Sequence, residues 1–279
     1  MGRRASLVLV ATPIGNLGDL SPRSVEALST ADSIACEDTR RTGSLLAHFA
    51  IAHDPFIVYN DHTEAAASAE IVARIERGEV VALVSDAGTP AVSDPGHRVV
   101  EAVLAAGYPV EAVPGPSAAL VGLLVSGLAT DRFCFDGFLP RKGAERARRI
   151  DALVSESRTV VLFEAPHRLE RTIADLRGAL GDDRRIAVAR ELTKKFEEVW
   201  RGTLGAAKAH LDEKEPRGEY VLVIGGAIEI DSSEDALRAT LGKEAAEGAT
   251  RRDAVETVVS MTGAKKRQVY DLALELDLS

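Results

Sequence analysis

The sequence has little that would tie it to a membrane, a metal or an oxidising compartment. Its only cysteines are Cys36 and Cys134. Two thiols make no disulfide framework, and such sparing use suits a reducing cytoplasm. The six histidines form no HxxxH grouping and the cysteines no CxxC, so no metal site is expected. No apolar run approaches the ~20 residues that a membrane-spanning helix needs. Arg3-Arg4 ahead of LVLVA faintly resembles a signal peptide, and Met1-Gly2 with Ser6 fits a myristoylation pattern. Leu7 already opens a strand, so neither signal is expected to operate. A G-x-x-x-x-G-K-[ST] motif is absent, which excludes a P-loop. No G-x-G-x-x-G follows the first strand, which argues against a conventional dinucleotide fold.

What is present is a soluble globular composition, 46% hydrophobic and 28% charged with a formal net charge of −9. The length of 279 residues allows two domains of ordinary size. The chain is organised around residues 80–96, VVALVSDAGTPAVSDPG. A β-branched apolar run reads as a buried parallel strand, then gives way to a long loop of small residues and a helix. Such a loop lies at the carboxyl edge of an open α/β sheet, where ligands bind. Two further stretches share the design: LVLVA followed by TPIGNLGD at residues 7–19, and VEAV followed by PGPSA at residues 110–118. Three such edges point to one shared crevice.

Strand and helix alternate from residue 5 to residue 116, which predicts an α/β domain with a mostly parallel sheet. Residues 37–43 (EDTRRTG) read as a charged loop, with a short helix after it. Residues 117–230 predict a second α/β domain. Its strands lie at 133–138, 159–163, 185–190 and 220–224, with a loop at 191–198. Residues 231–279 carry three helical periods separated by Gly248 and Gly263, which predicts a small helical module.

The three loops contain no lysine or arginine, so a ligand that depends on phosphate is disfavoured. Asp86 and Asp94 place two carboxylates there. A nucleoside with a positive charge fits better, and S-adenosylmethionine is such a molecule. TPIGNLGDLSPRSVEAL, CEDTRRTGSLL, LVSDAGTPAVSDPG, VPGPSA, FEAPHR and RELTKKFEE, in this order and spacing, resemble the bacterial small-subunit ribosomal RNA cytidine 2′-O-methyltransferases of the tetrapyrrole methylase superfamily. The resemblance runs from about Leu7 to Ile224 and continues more weakly through the tail. It implies two αβα domains with the ligand cleft between them, a homodimer, and methylation of a ribose 2′-hydroxyl in the decoding region of 16S ribosomal RNA. It also implies cofactor contacts at Pro13, Asp86, Ala87, Gly88, Ser93, Asp94, Ser117, Ala118, Ala165 and Pro166.

Charged clusters at strand ends supply candidates for the chemistry. A ribose hydroxyl is a weak nucleophile, so a general base or a cation near the developing alkoxide helps. Asp38, His62 and Glu64 are base candidates, with Asp61 in the same cluster. Arg40 and Lys194 are electrostatic candidates. The basic stretch with Arg141, Lys142, Arg146, Arg148 and Arg149, together with Arg168 and Lys195, is the candidate RNA surface. Each also has a structural reading as a capping group or a solvated helix face. Two rival functions stay open: a small-molecule methylase acting on a tetrapyrrole, and a non-catalytic RNA-binding assembly factor. A tetrapyrrole enzyme would tend to purify coloured.

Overall fold

The computed structural model describes residues 4–53, 56–60, 62–212, 215–227 and 233–276. The N-terminal pattern at Met1, Gly2 and Arg3, and Asp61 of the charged cluster, lie outside the described residues. The chain forms two compact units, within Met1–Ala227 and within Ile228–Ser279.

The first half of the larger unit is a wholly parallel sheet. Its strands are β1 (Ser6–Val10), β2 (Ser33–Cys36), β3 (Phe56–Val58), β4 (Val80–Leu83) and β5 (Val110–Val113), in the order β3-β2-β4-β1-β5. The strands alternate faces, and both faces are covered. Leu7, Val81 and Leu83 pack against Ile71 and Ile75 of α3 (Glu64–Glu76) and Val99 and Val103 of α4 (His97–Ala105). Val10, Ala82 and Val84 pack on the other side, against Leu28 of α1 (Pro22–Thr30) and Leu46 of α2 (Thr39–His48). β1 and β4 are neighbours, yet the helices that follow them cover opposite faces. A crevice therefore opens between their carboxyl ends, the switch point of the sheet.

Helix entries follow their capping chemistry. Ser21 Oγ accepts the Ser24 amide at 3.0 Å, and Pro22 occupies the first turn of α1. Asp38 accepts the Arg40 amide at 2.8 Å, a cap whose loss costs ~1 kcal/mol. That cap corrects the expected 37–43 loop. α2 begins at Thr39, so Arg40 and Arg41 stand on its first turn.

The second sheet is mixed. It comprises β6 (Phe133–Phe138), β7 (Thr159–Glu164), β8 (Arg185–Arg190), β9 (Glu198–Thr203) and β10 (Tyr220–Ile224), in the order β6-β7-β10-β8-β9. Only β6 and β7 pair in parallel. The edge strand β9 has no counterpart in the sequence reading, because Glu198, Arg201 and Thr203 break up its apolar pattern. Its inward residues still alternate, Trp200 packing on one core and Val199 on the other. One face is covered by α6 (Gly143–Ala152), α7 (Pro166–Leu180) and α8 (Leu204–Asp212). The other is covered by α5 (Ala118–Ser126), whose Ala119 and Leu123 meet Val161, Ala187 and Val221. A Cβ at Gly122 would lie 2.6 Å from Val221 Cγ1, so glycine sets how closely α5 approaches the sheet. Filling that space costs ~1–3 kcal/mol.

The smaller unit holds α9 (Glu234–Ala246), α10 (Arg251–Thr262) and α11 (Lys266–Glu275). It has its own core of Leu237, Leu241, Val255, Val258, Val269 and Leu272. No described helix is long and apolar enough to cross a membrane.

Candidate functional site

The three glycine- and proline-rich loops are bonded to one another at the switch point. Thr12 N–H donates to Gly88 O at 2.8 Å, and Gly88 N–H donates back to Thr12 O at 3.1 Å. Thr12 Oγ1 donates to Ser85 O, and Thr89 Oγ1 donates to Pro116 O, each at 3.2 Å. A Cβ at Gly115 would lie 2.9 Å from Ala11 Cβ, so the third loop rests on the end of β1. Gly88, at φ +85°, takes a conformation open to glycine at little cost. Five described non-glycine residues have positive φ, and four of them are Ala91, Ser93, Glu191 and Thr193. Each left-handed residue costs ~1–3 kcal/mol, and strain of this kind concentrates at functional loops.

A cleft of about 630 Å³ opens on this rim, within the size range of small-ligand sites. Thr12, Pro13, Ser85 and Asp86 line it together with Asp38 and Arg40. Asp86 Oδ1 accepts the Asp38 amide at 3.1 Å, and Arg41 lies 3.4 Å from Asp86 Oδ2. Arg40 donates twice to the Asp38 carboxylate, at 3.1 and 2.8 Å, while its side chain stays 89% exposed. These bonds from the Arg40 guanidinium, with the Arg40 amide, hold the Asp38 carboxyl far below the ordinary carboxylate range. Asp38, expected as a base candidate, caps α2 and orients Arg40 at the edge of the cleft. Asp94 moves the other way. Burial pushes its carboxyl up to about 6, against a hydrogen bond with Ser85 and with help from the charge of Asp86.

From the second sheet's side, Lys194 reaches the same rim. Its stem lies against Gly15, so closely that a Cβ there would overlap Lys194 Cγ, and Gly15 lines the cleft. Lys194 Nζ donates to Glu191 Oε1 at 2.9 Å and to Glu219 Oε2 at 2.7 Å. Burial works against its charge, but the two carboxylates outweigh it and hold the ammonium above its ordinary range. Lys194 is thus a fixed cation at the cleft edge. Ser93 Oγ would lie 2.7 Å from a Cβ on Gly137, so the SDPG loop abuts the end of β6.

Other predicted residues lie elsewhere. His62 is exposed and is not among the residues lining the cleft. Glu64, expected as a base candidate, does not line the cleft and is engaged in a local network. It accepts the Tyr59 hydroxyl at 3.0 Å and pairs with Arg98 at 3.2 Å, and Tyr59 Oη in turn accepts the Val99 amide. Ala87 and Gly88 turn the second loop, and Ser117 and Ala118 open α5, held near the rim through Pro116. Ala165 and Pro166 form the β7–α7 junction and do not line this cleft. Within the basic stretch, Arg141, Lys142 and Arg148 are exposed. Arg149 donates to Asp136 O at 3.1 Å. Arg146 is only 4% exposed and donates to Asp175, Pro140 O and Thr172. Arg168 donates to Leu139 O and pairs with Glu164. Both guanidiniums, expected as RNA contacts, are thus engaged with partners inside the protein. Lys195 is exposed, with Nζ 5.6 Å from the ring centre of Phe196. Phe196, 64% exposed beside two lysines, has no place among the sequence candidates; an aromatic interleaved with cations is the signal that points to it. No cluster of metal-ligating side chains occurs among the described residues.

Fold and site together define a methylase of the tetrapyrrole type. Residues 6–208 match the family Tetrapyrrole (Corrin/Porphyrin) Methylases, and the chain belongs to that family. It is 49% identical over 274 residues to Ribosomal RNA small subunit methyltransferase I of Synechocystis sp., covering 97% of this chain and 98% of that protein. Identity to the protein of the same name from Xylella fastidiosa is 43%, over 97% and 99% of the two chains. Among solved structures, uroporphyrin-III C-methyl transferase from Thermus thermophilus, complexed with S-adenyl homocysteine, shares the fold. Its TM-score is 0.56 over 79% of this chain and 96% of that one, at 20% identity.

Proposed function

We propose that this chain is an S-adenosylmethionine-dependent methyltransferase that 2′-O-methylates a cytidine ribose in the decoding region of 16S ribosomal RNA. It acts on the small ribosomal subunit in the cytoplasm. One observation carries the reading above the others. The likeness to the ribosomal RNA methyltransferases takes in 97% of the chain, well past residue 208 where the family match ends. A tetrapyrrole methylase would be expected to share the family region alone.

The residues at the cleft fit the cofactor. The rim offers backbone amides and carbonyls, the carboxylates of Asp86 and Asp94, and no free lysine or arginine on its three loops. Arg40 and Arg41 beside it are already paired to Asp38 and Asp86. That donor set suits a cationic nucleoside and disfavours a polyphosphate. Asp86 would hold the ribose diol. When bound, S-adenosylmethionine supplies an electrophilic methyl group. The chain's own part is alignment and charge. Arg40, oriented by Asp38, and Lys194, held by Glu191 and Glu219, stabilise negative charge on the target oxygen. His62 remains a base candidate through loop closure.

Residues 5–116 and 117–230 act in this reading as two ligand-binding domains, with 231–279 as an accessory module. Arg141, Lys142, Arg148, Arg149 and Lys195 contact RNA phosphate. The enzyme works as a homodimer, a reading supported by Leu120 and Leu124, one turn apart on α5 and 49% and 73% exposed. Incubation with isolated small subunits and methyl-labelled cofactor tests the function. Label in 16S RNA supports it, and label only in an added tetrapyrrole refutes it.

A further inference from the structure

Two internally bonded arginines of the second half suggest a role that neither packing nor phosphate contact explains. β6 ends at Phe138 and α6 begins at Gly143, so residues 139–142 form a four-residue connection. Two arginines from different helices grip its first two carbonyls. Arg168 Nη2 donates to Leu139 O at 2.5 Å, and Arg146 Nη1 donates to Pro140 O at 3.1 Å. Both guanidiniums are themselves anchored. Arg168 Nε lies 3.1 Å from Glu164 Oε1, and Arg146 Nε donates to Asp175 at 2.9 Å. Thr172 closes the network, accepting from Arg146 at 3.0 Å and donating to Glu164 Oε2 at 2.5 Å. The Glu164 side chain is fully buried and that of Arg168 is 17% exposed.

Buried ion networks are weak sources of stability compared with apolar packing of the same volume. What they add is direction: a planar guanidinium fixes its acceptors in a set geometry. Here the acceptors are consecutive carbonyls at the root of a loop whose next two residues, Arg141 and Lys142, are exposed. Neither has an ion-pair partner among the described residues. The loop also starts against the second of the three strand-end loops, since Gly137, two residues before Leu139, abuts Ser93.

We propose that Arg146 and Arg168 are positioning residues for RNA docking, which fix residues 139–142 so that Arg141 and Lys142 meet substrate phosphate beside the cleft. This rests on the ribosomal RNA reading above. A loop held in its bound shape loses less entropy on docking, so the clamp acts on substrate affinity and leaves the cofactor and the reacting atoms untouched.

The test compares Arg168→Met and Arg146→Met with the double variant Arg141→Ala/Lys142→Ala, all in the full chain. Arg168→Met is the principal variant, because its partly exposed side chain tolerates replacement better than that of Arg146. Arg168→Lys serves as the conservative control. Methyl transfer to isolated small subunits gives KM and kcat, filter binding against salt gives the log–log slope, and calorimetry gives cofactor affinity. Arg168→Met is expected to raise KM about tenfold, equivalent to ~1.4 kcal/mol. The salt slope should fall by about one unit for each phosphate that is no longer neutralised. kcat and cofactor affinity should stay within about twofold of wild type. Adding Arg168→Met to the double variant should raise KM little further, since both act through the same phosphate. Arg168→Lys should recover part of the loss. Wild-type KM and slope in Arg168→Met, while the double variant loses affinity, would overturn the clamp and leave the methyl-transfer reading standing. Equal falls in kcat and cofactor affinity would assign the arginines to general folding and overturn it too. Failure of the wild-type enzyme to methylate small subunits would instead remove the reading on which the clamp rests.

Discussion

Asp94→Asn isolates the carboxyl of the second loop that burial holds above its ordinary range. Burial raises the Asp94 carboxyl from 3.8 to about 6. The folded chain therefore holds a proton there that the unfolded chain has released. Between those two values the folded state binds more protons, so stability falls as pH rises through the window, and above about pH 6 the full penalty persists. At ~1.4 kcal/mol per pH unit the interval is worth at most ~3 kcal/mol. Asp94 is only partly buried, and solvent screening reduces the expected effect to ~1–2 kcal/mol. Asparagine keeps the size and a hydrogen-bonding oxygen for Ser85 but carries no charge. Urea unfolding at about pH 8 should find Asp94→Asn more stable by that amount, with the difference vanishing below about pH 4. Cofactor binding should behave inversely. Wild-type affinity for the cationic cofactor should climb as pH rises through about 6, and that of Asp94→Asn should stay flat over the same range. Identical pH dependence in both proteins, or a less stable Asp94→Asn at high pH, would refute the reasoning.

Gly115→Ala places a methyl 2.9 Å from Ala11 Cβ. It should part the first and third loops and weaken cofactor binding about tenfold by calorimetry. Asp86→Ala should abolish measurable cofactor binding with the fold retained by circular dichroism. Arg40→Ala and Lys194→Ala should each lower the single-turnover rate on small subunits about a hundredfold while cofactor affinity is kept; near-normal rates would place the active edge elsewhere. Leu124→Glu should convert a dimer to a monomer in light scattering at micromolar concentration, and an unchanged mass would exclude α5 from the dimer contact.

The parts of the fold that are legible in the sequence are those where one local signal dominates. β1, β4 and β5 show as apolar runs cut off by glycine and proline, and α1 is announced by Ser21-Pro22. The shared rim is legible too, because three loops of one design imply one edge. β9 is not, since an edge strand needs only one apolar face and its polar residues hide even that. The start of α2 reads as a loop because charged residues mask the Asp38 cap. The burial of Arg146 shows in its spacing and not in its charge. Arg146, Ile150 and Leu153 recur on one helical stripe, and that stripe is buried. The roles of Asp38 and Glu64 depend on Arg40, Tyr59 and Arg98, partners set by geometry that no linear motif displays.

The central claim is tested most directly by locating the methyl group. Small subunits from cells lacking this activity would be incubated with the purified chain and methyl-labelled S-adenosylmethionine, then digested to nucleosides and mapped. The account predicts one methyl per subunit, on the 2′-oxygen of a single cytidine in the decoding region, and none with Asp86→Ala. Label on a nucleobase, on another ribose, or nowhere in the RNA would contradict it.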